Sequence, residues 1–368
     1  MKLEFWKQRR IAITGHTGFM GGWLVATLRR LEATISGFAL DVPTQPSLWE
    51  TAGLSDTPTA WGDIRNLEAL RSFLAESKPD VVIHLAAQPL VRRSYDRPLE
   101  TFETNVIGTA NLFEAVREVP SVRAVLNVTS DKCYENRSWP WPYREQDALG
   151  GHDPYSSSKA CAELVTEAYR KSFLNGNTGR SLPISVATAR AGNVIGGGDW
   201  ATDRLIPDMI RAVYSGQAVL LRNPEAVRPW QHVLEAISGY LVLLEKMWES
   251  PNEFAQAFNF GPTEESCKPV SWVADKVLAA WGGGRPWQVD SSRQPHEATL
   301  LKVDSSKAKN LLGWEPRWTL EKAIEATVLW YKSAAAGEEI AAVTARQIDE
   351  FLRLSPASKP HEPSPAAR

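Results

Sequence analysis

Short apolar runs alternate with amphipathic stretches along the first half of the chain, and this alternation restricts the fold more than any other feature of the sequence. Residues 11–14, 34–39, 81–86, 124–128 and 184–189 are apolar runs of strand length with helical patterns between them. Parallel strands need a crossover long enough to hold a helix, so the pattern predicts an α/β fold with a doubly wound parallel sheet. After Arg190 the pattern loosens into a glycine turn at 196–198, a helix over 204–215 with Pro207 in its first turn, and a short strand over 219–222. These elements predict a smaller C-terminal α/β lobe. Helical periodicity over 232–248 and a strand at 257–260 predict that the chain rejoins the first sheet before finishing in that lobe. The expected division is a large domain over 1–191 that returns at about 228–262, a lobe from 192–227 and 263–335, and a terminal helix and flexible tail over 336–368.

Composition excludes several classes of function. Lys and Arg total 41 against 43 Asp and Glu, a net charge of −2, so no broad field exists to hold nucleic acid or an anionic membrane. Three widely spaced cysteines, Cys133, Cys161 and Cys267, form no Cys-x-x-Cys pair, which argues against a disulfide framework or structural zinc. The six histidines show no His-x-x-x-His spacing, and no metal is expected. The sequence has neither a signal-peptide core nor a run of roughly 20 apolar residues, so a cytoplasmic chain is expected.

Directly after the first strand comes a Gly-x-x-Gly-x-x-Gly run, containing Gly15, Thr17, Gly18, Phe19, Met20 and Gly21, that opens a helix through residues 23–31. Glycines there permit a tight turn and close approach of backbone to a pyrophosphate, and the helix N-terminus attracts the anion. This is the opening of a Rossmann-type dinucleotide domain. Asp41, twenty residues past Gly21 at the end of the second strand, suits the ribose hydroxyls of NAD and repels the 2′-phosphate of NADP. Asp63 and Ile64 after the third strand, and Leu85, Ala86 and Ala87 after the fourth, extend the expected cofactor site, to which Asn105 is also assigned.

Tyr155 and Lys159 lie one helical turn apart, so they share a face. An ammonium beside a phenol stabilises the phenolate, and Tyr155 is expected to remove an alcohol proton while the carbon gives a hydride to nicotinamide. Ser130, at the end of a strand, is placed to bond the same oxygen. Asp131 and Lys132 follow it and exceed what simple alcohol oxidation needs. With C4 of a hexose oxidised, the C5 proton becomes acidic and the C6 hydroxyl leaves if an acid protonates it, so the pair either carries out this elimination or only orients the loop. Gln88, Asn193, Arg204, Leu205, Arg228 and His296 are the expected contacts of a nucleotide sugar. Among them Arg228 is the best diphosphate ligand, because a guanidinium forks onto two oxygens.

The glycine run with a later Tyr-x-x-x-Lys resembles the extended short-chain dehydrogenase/reductase family over nearly the whole chain up to about residue 330. Three further runs, Thr129 to Asn136, Asp153 to Lys159 and Arg228 to Glu235, are similar to the CDP-D-glucose 4,6-dehydratase branch of that family. The resemblance implies NAD as cofactor, CDP-glucose as the small-molecule partner, and a homo-oligomer, dimer or tetramer, built partly by the helix carrying Tyr155. It also implies that Asp63 and Ile64 flank the adenine, that Asp131 is the acid at O6, and that Lys132 is the counterpart of the C5 base. Related dehydratases usually carry Glu at the position of Lys132, and often a basic residue at that of Met20.

Overall fold

Strands that read as continuous apolar runs must be covered on both faces, and the chain provides this cover with helices between successive strands. The computed structural model describes residues 2–174, 183–292 and 298–353. The first six strands are β1 (Arg10–Thr14), β2 (Thr34–Ala39), β3 (Thr59–Trp61), β4 (Val81–His84), β5 (Ala124–Val128) and β6 (Ser185–Ala191). Those that follow are β7 (Asn193–Ile195), β8 (Leu220–Leu221), β9 (Val227–His232), β10 (Ala257–Phe260), β11 (Cys267–Pro269) and β12 (Gln288–Val289). Seven of them form one parallel sheet in the order β10-β6-β5-β4-β1-β2-β3, and β4, β5 and β6 are buried along their whole length. The expected return to the first sheet is made by β10, whose Phe260 pairs with Ala191.

Strand order reverses between β1 and β4, which opens a crevice outside their carboxyl ends. The run predicted over 81–86 stops as a strand at His84 because Leu85 and Ala86 leave the sheet to form the rim of that crevice. Beyond the large sheet stand a three-stranded sheet, β11-β9-β7, and a two-stranded one, β12-β8. Helix Leu205–Tyr214 lies within the span predicted, the strand expected at 219–222 shortens to β8, and the helix predicted over 232–248 is Val233–Glu249. Helix Ile340–Arg353 closes the described chain, and the tail expected after it lies outside the described residues.

Glu235 ties these parts together. It sits 1% exposed in the first turn of helix Val233–Glu249, and its Oε1 accepts the backbone N–H of Arg317 at 3.0 Å and of Trp318 at 2.7 Å, just ahead of helix Leu320–Ala335. Burial pushes its pKa up to about 7, against the pull of those N–H groups and of the Arg317 guanidinium. The folded protein therefore holds this proton more tightly than the unfolded chain, so stability is highest below the ordinary carboxyl range and falls as pH rises through about 7. Glu235→Gln keeps an acceptor for both N–H groups and removes the buried charge. Relative to wild type, the variant is expected to gain about 2 kcal/mol between pH 5 and pH 8 in denaturant unfolding. A difference that does not change with pH contradicts this account.

Candidate active site

Each glycine of the run after β1 answers to a different constraint. Gly15 has a φ of +71°, and a Cβ there would stand 2.7 Å from the Ala86 backbone; one at Gly21 would stand 2.3 Å from the Gly15 carbonyl oxygen. A Cβ at Gly18 meets protein only at 3.5 Å, so the chain's own packing does not require this glycine, and the space beside it belongs to the cleft. Helix Phe19–Arg30 begins there with no side chain capping it, which leaves its first N–H groups for an anion. These features fit a dinucleotide pyrophosphate. Gly18→Ala is expected to leave the unfolding temperature unchanged and to cut the NAD retained by purified protein at least tenfold on the order expected for a blocked phosphate approach. Full retention of NAD contradicts that fit.

The remaining cofactor residues gather around this point. Thr17 Oγ1 donates to the Asp41 carbonyl at 2.7 Å, and Asp41 is exposed on the loop after β2 where it lines the cleft. The Asp63 carboxylate is held by Arg65 at 2.6 Å, which keeps its pKa below the usual range. Ile64 is buried and packs toward Gly108, where an added Cβ would meet its Cδ1 at 2.6 Å. Phe19, Met20, Leu85, Ala86 and Ala87 also line the cleft, whose volume of about 1150 Å³ exceeds the usual range for a site holding one small ligand.

Asn105, also assigned to the cofactor, is 2% exposed, and its side chain is engaged beside the cleft: Oδ1 accepts the Gln88 N–H at 2.8 Å, while Nδ2 donates to the Gln88 carbonyl at 3.1 Å and to Ser158 Oγ at 2.8 Å. It braces the rim. Gln88 does line the cleft, but its amide is engaged by Leu90 and Thr101.

The residues expected to react come from two places, the end of β5 and the helix Pro154–Tyr169. Asp153 caps that helix, accepting from Ser156 N at 2.9 Å and Ser156 Oγ at 2.7 Å, and Pro154 occupies its first turn. Tyr155 follows, 8% exposed, with its pKa pushed up to about 12 by burial and only partly offset by a hydrogen bond with Ser130. Lys159 lies one turn further along the same helix. The ammonium reaches back toward the end of β5, donating to the Val128 carbonyl at 3.5 Å, and burial pulls its pKa down to about 8.

Ser130 Oγ accepts the Lys132 N–H at 3.1 Å and donates to Asp131 Oδ1 at 3.1 Å. Asp131 is 3% exposed, and its Oδ2 has no partner. Burial raises the pKa of this carboxyl to about 6, although Lys132, Ser130 and Arg228 all pull it down. Gly192 makes room for it, since a Cβ there would lie 3.1 Å from Oδ2. Ser130, Asp131, Lys132, Tyr155 and Lys159 all line the same cleft as the glycine run.

Asn193, Arg204, Leu205 and Arg228 line it from the other side. Arg204 is paired with Asp199 at 3.0 Å, and Arg228, 3% exposed, donates to the carbonyls of Val227 and Ala298. His296 lies outside the described residues. Sequence reasoning missed Glu163 and Arg190, a buried pair 2.8 Å apart that locks the catalytic helix to the sheet with help from Thr129 and Thr188. The signal was available: Glu163 continues the face of Tyr155 and Lys159 by one more turn, and Arg190 is a charge inside an apolar strand.

The comparisons with known proteins agree with this geometry. Residues 11–261 match the model of the NAD dependent epimerase/dehydratase family. The CDP-glucose 4,6-dehydratase of Salmonella typhimurium is 48% identical over 95% of this chain and 98% of its own length. A dTDP-glucose 4,6-dehydratase of Xanthomonas campestris pv. campestris is 28% identical over 87% of this chain and 92% of its own. Among solved structures, the dTDP-glucose 4,6-dehydratase of Bacillus anthracis in complex with NAD shares the fold with a TM-score of 0.74 at 24% identity, covering 90% of this chain and 99% of its own. With a seven-stranded parallel sheet, a glycine cradle at its switch point and matches of this extent, the chain belongs to the NAD dependent epimerase/dehydratase family.

Proposed function

We propose that the chain is an NAD-dependent lyase that converts CDP-D-glucose to CDP-4-dehydro-6-deoxy-D-glucose and water. The observation that carries this reading is Asp131, a buried carboxyl with an unpaired oxygen and a raised pKa, in one cleft with Tyr155. Oxidation or epimerisation at C4 needs no such acid, whereas loss of the C6 hydroxyl does. The base and sugar are those of the Salmonella relative.

In this reading Tyr155 takes the proton from O4, and Ser130 holds the same oxygen. Bound NAD supplies a hydride acceptor for C4 and a hydride donor for C6. Lys132 takes the C5 proton, made acidic by the C4 ketone, and the C5–H electrons form the C5–C6 double bond as the C6–O bond breaks. Asp131 gives its proton to O6, which leaves as water. Lys132 then returns a proton to C5. The groups around Lys159 hold the tyrosine helix at the strand ends, and Asn193, Arg204, Leu205 and Arg228 orient the nucleotide sugar.

Residues 1–191 with the return at about 228–262 would hold the dinucleotide, and 192–227 with 263–335 the nucleotide sugar. A homo-oligomer is supported by outward apolar side chains on the helices of one region: Leu99, Ile107 and Leu164 are each more than half exposed. Three free cysteines support a reducing, cytoplasmic setting, and no helix among the described residues is long and apolar enough to cross a membrane. Incubation with CDP-, dTDP- and GDP-glucose tests the reading. A 4-keto-6-deoxy product, seen by its ultraviolet absorbance in alkali, is expected from CDP-glucose first, and no product from any of them would reject it.

A further inference from the structure

The cleft also holds a cluster of opposite charges that the proposed chemistry does not use. Asp203 precedes helix Leu205–Tyr214 with a φ of 62°, in a left-handed conformation that residues other than glycine seldom adopt. Two arginines from distant parts of the chain converge on it. Arg92 Nη1 donates to Asp203 Oδ1 at 3.0 Å; Arg222, directly after β8, donates from Nη2 to the Asp203 carbonyl at 2.9 Å and sets Nη1 3.6 Å from the same carboxylate oxygen. All three residues line the cleft, as do the apolar side chains of Leu205, Val219 and Leu221. The Arg222 and Asp203 side chains are 26% and 35% exposed, so both remain accessible to a ligand.

We propose that Asp203 and Arg222 read the base of the nucleotide sugar and select cytosine, an assignment that rests on the CDP-D-glucose reading above. A carboxylate acceptor stands beside a guanidinium donor at the edge of an apolar wall. Cytosine presents the complement, with an amine donor at C4 and acceptors at N3 and O2, and carboxylate pairing with that amine is a known mode of base recognition. Uracil and thymine invert the first two positions: their C4 carbonyl would face the Asp203 carboxylate, and their N3–H would face Arg222. A site built around a hydrogen bond discriminates most strongly against the ligand that leaves its groups unpaired. Arg92 acts as a positioning residue that orients the carboxylate. The arginines alone would also suit a diphosphate, but a carboxylate between them repels phosphate.

The test is the affinity of the NAD-loaded enzyme for CDP and for UDP, measured by calorimetry on wild type, Asp203→Asn and Arg222→Gln. Asn keeps the side-chain shape and tolerates left-handed backbone, so the fold should survive, and Arg222→Gln carries the test if it does not. The preference for CDP over UDP is expected to narrow by about tenfold or more in either variant, as loss of a charge-assisted hydrogen bond implies. Equal weakening of both ligands, which would assign the cluster to the diphosphate, or no change in either overturns the proposal. A wild type that does not prefer CDP overturns the CDP-D-glucose reading itself; a wild-type preference that both variants retain overturns only the base assignment.

Discussion

Tyr155→Phe is expected to lower kcat by about 10³-fold or more while the protein keeps its fold and its NAD, since a positioned acid–base group contributes on that scale. The substitution removes one oxygen from a side chain that is 8% exposed, and the ring stays. What is lost is a phenol that lines the cleft and hydrogen-bonds Ser130 beside Asp131. Burial opposes ionisation of this phenol, so its proton uptake depends on groups that stabilise the phenolate during the reaction. Steady-state turnover with an assay of bound NAD separates the two effects. A variant that keeps NAD and retains more than about a tenth of wild-type kcat would exclude Tyr155 as the base.

Asp131→Asn is expected to stop the reaction after C4 oxidation. Asn fills the same buried space and keeps the Ser130 contact, but it has no proton to give the leaving hydroxyl. Product formation should fall about 10²- to 10⁴-fold, while a single turnover should still show reduced nicotinamide absorbance. The wild-type enzyme adds a pH signature. With a carboxyl pKa near 6, the protonated fraction falls tenfold per unit above that value, so kcat/KM of the wild type should show a corresponding falling limb that is absent in the variant. Normal product formation by Asp131→Asn would remove this residue from the mechanism.

The sheet was legible because parallel strands buried on both faces must be apolar throughout, and β5 and β10 begin and end at the predicted residues. Strand β9 was not, since it contains Arg228 and Pro229, both poor strand residues by type. Its pairing explains the exception: residues 228 and 229 pair with β11 and residues 230–232 with β7, while Val227 also bridges Leu300, so the missing Pro229 N–H is not needed on a second side. The five residues proposed as reactive groups were singled out by their spacing and order in the sequence, and all five line the cleft. Helical spacing fixes a shared face but not a rotamer, so the contact of Lys159 with the Val128 carbonyl could not be read from it. The place of Asn105 depends on the π-helical turn Glu103–Ile107, which aims the amide at Gln88, and no local pattern in the sequence marks that turn.

One measurement bears most directly on the claim that a single cleft oxidises C4, expels water and reduces C6 with the same cofactor. CDP-glucose deuterated at C4 is given to the enzyme with no added nicotinamide, and the product is examined by NMR. Deuterium recovered in the C6 methyl group of a 4-keto sugar is the predicted result. Label lost to solvent, or a product that keeps its C6 hydroxyl, would contradict it.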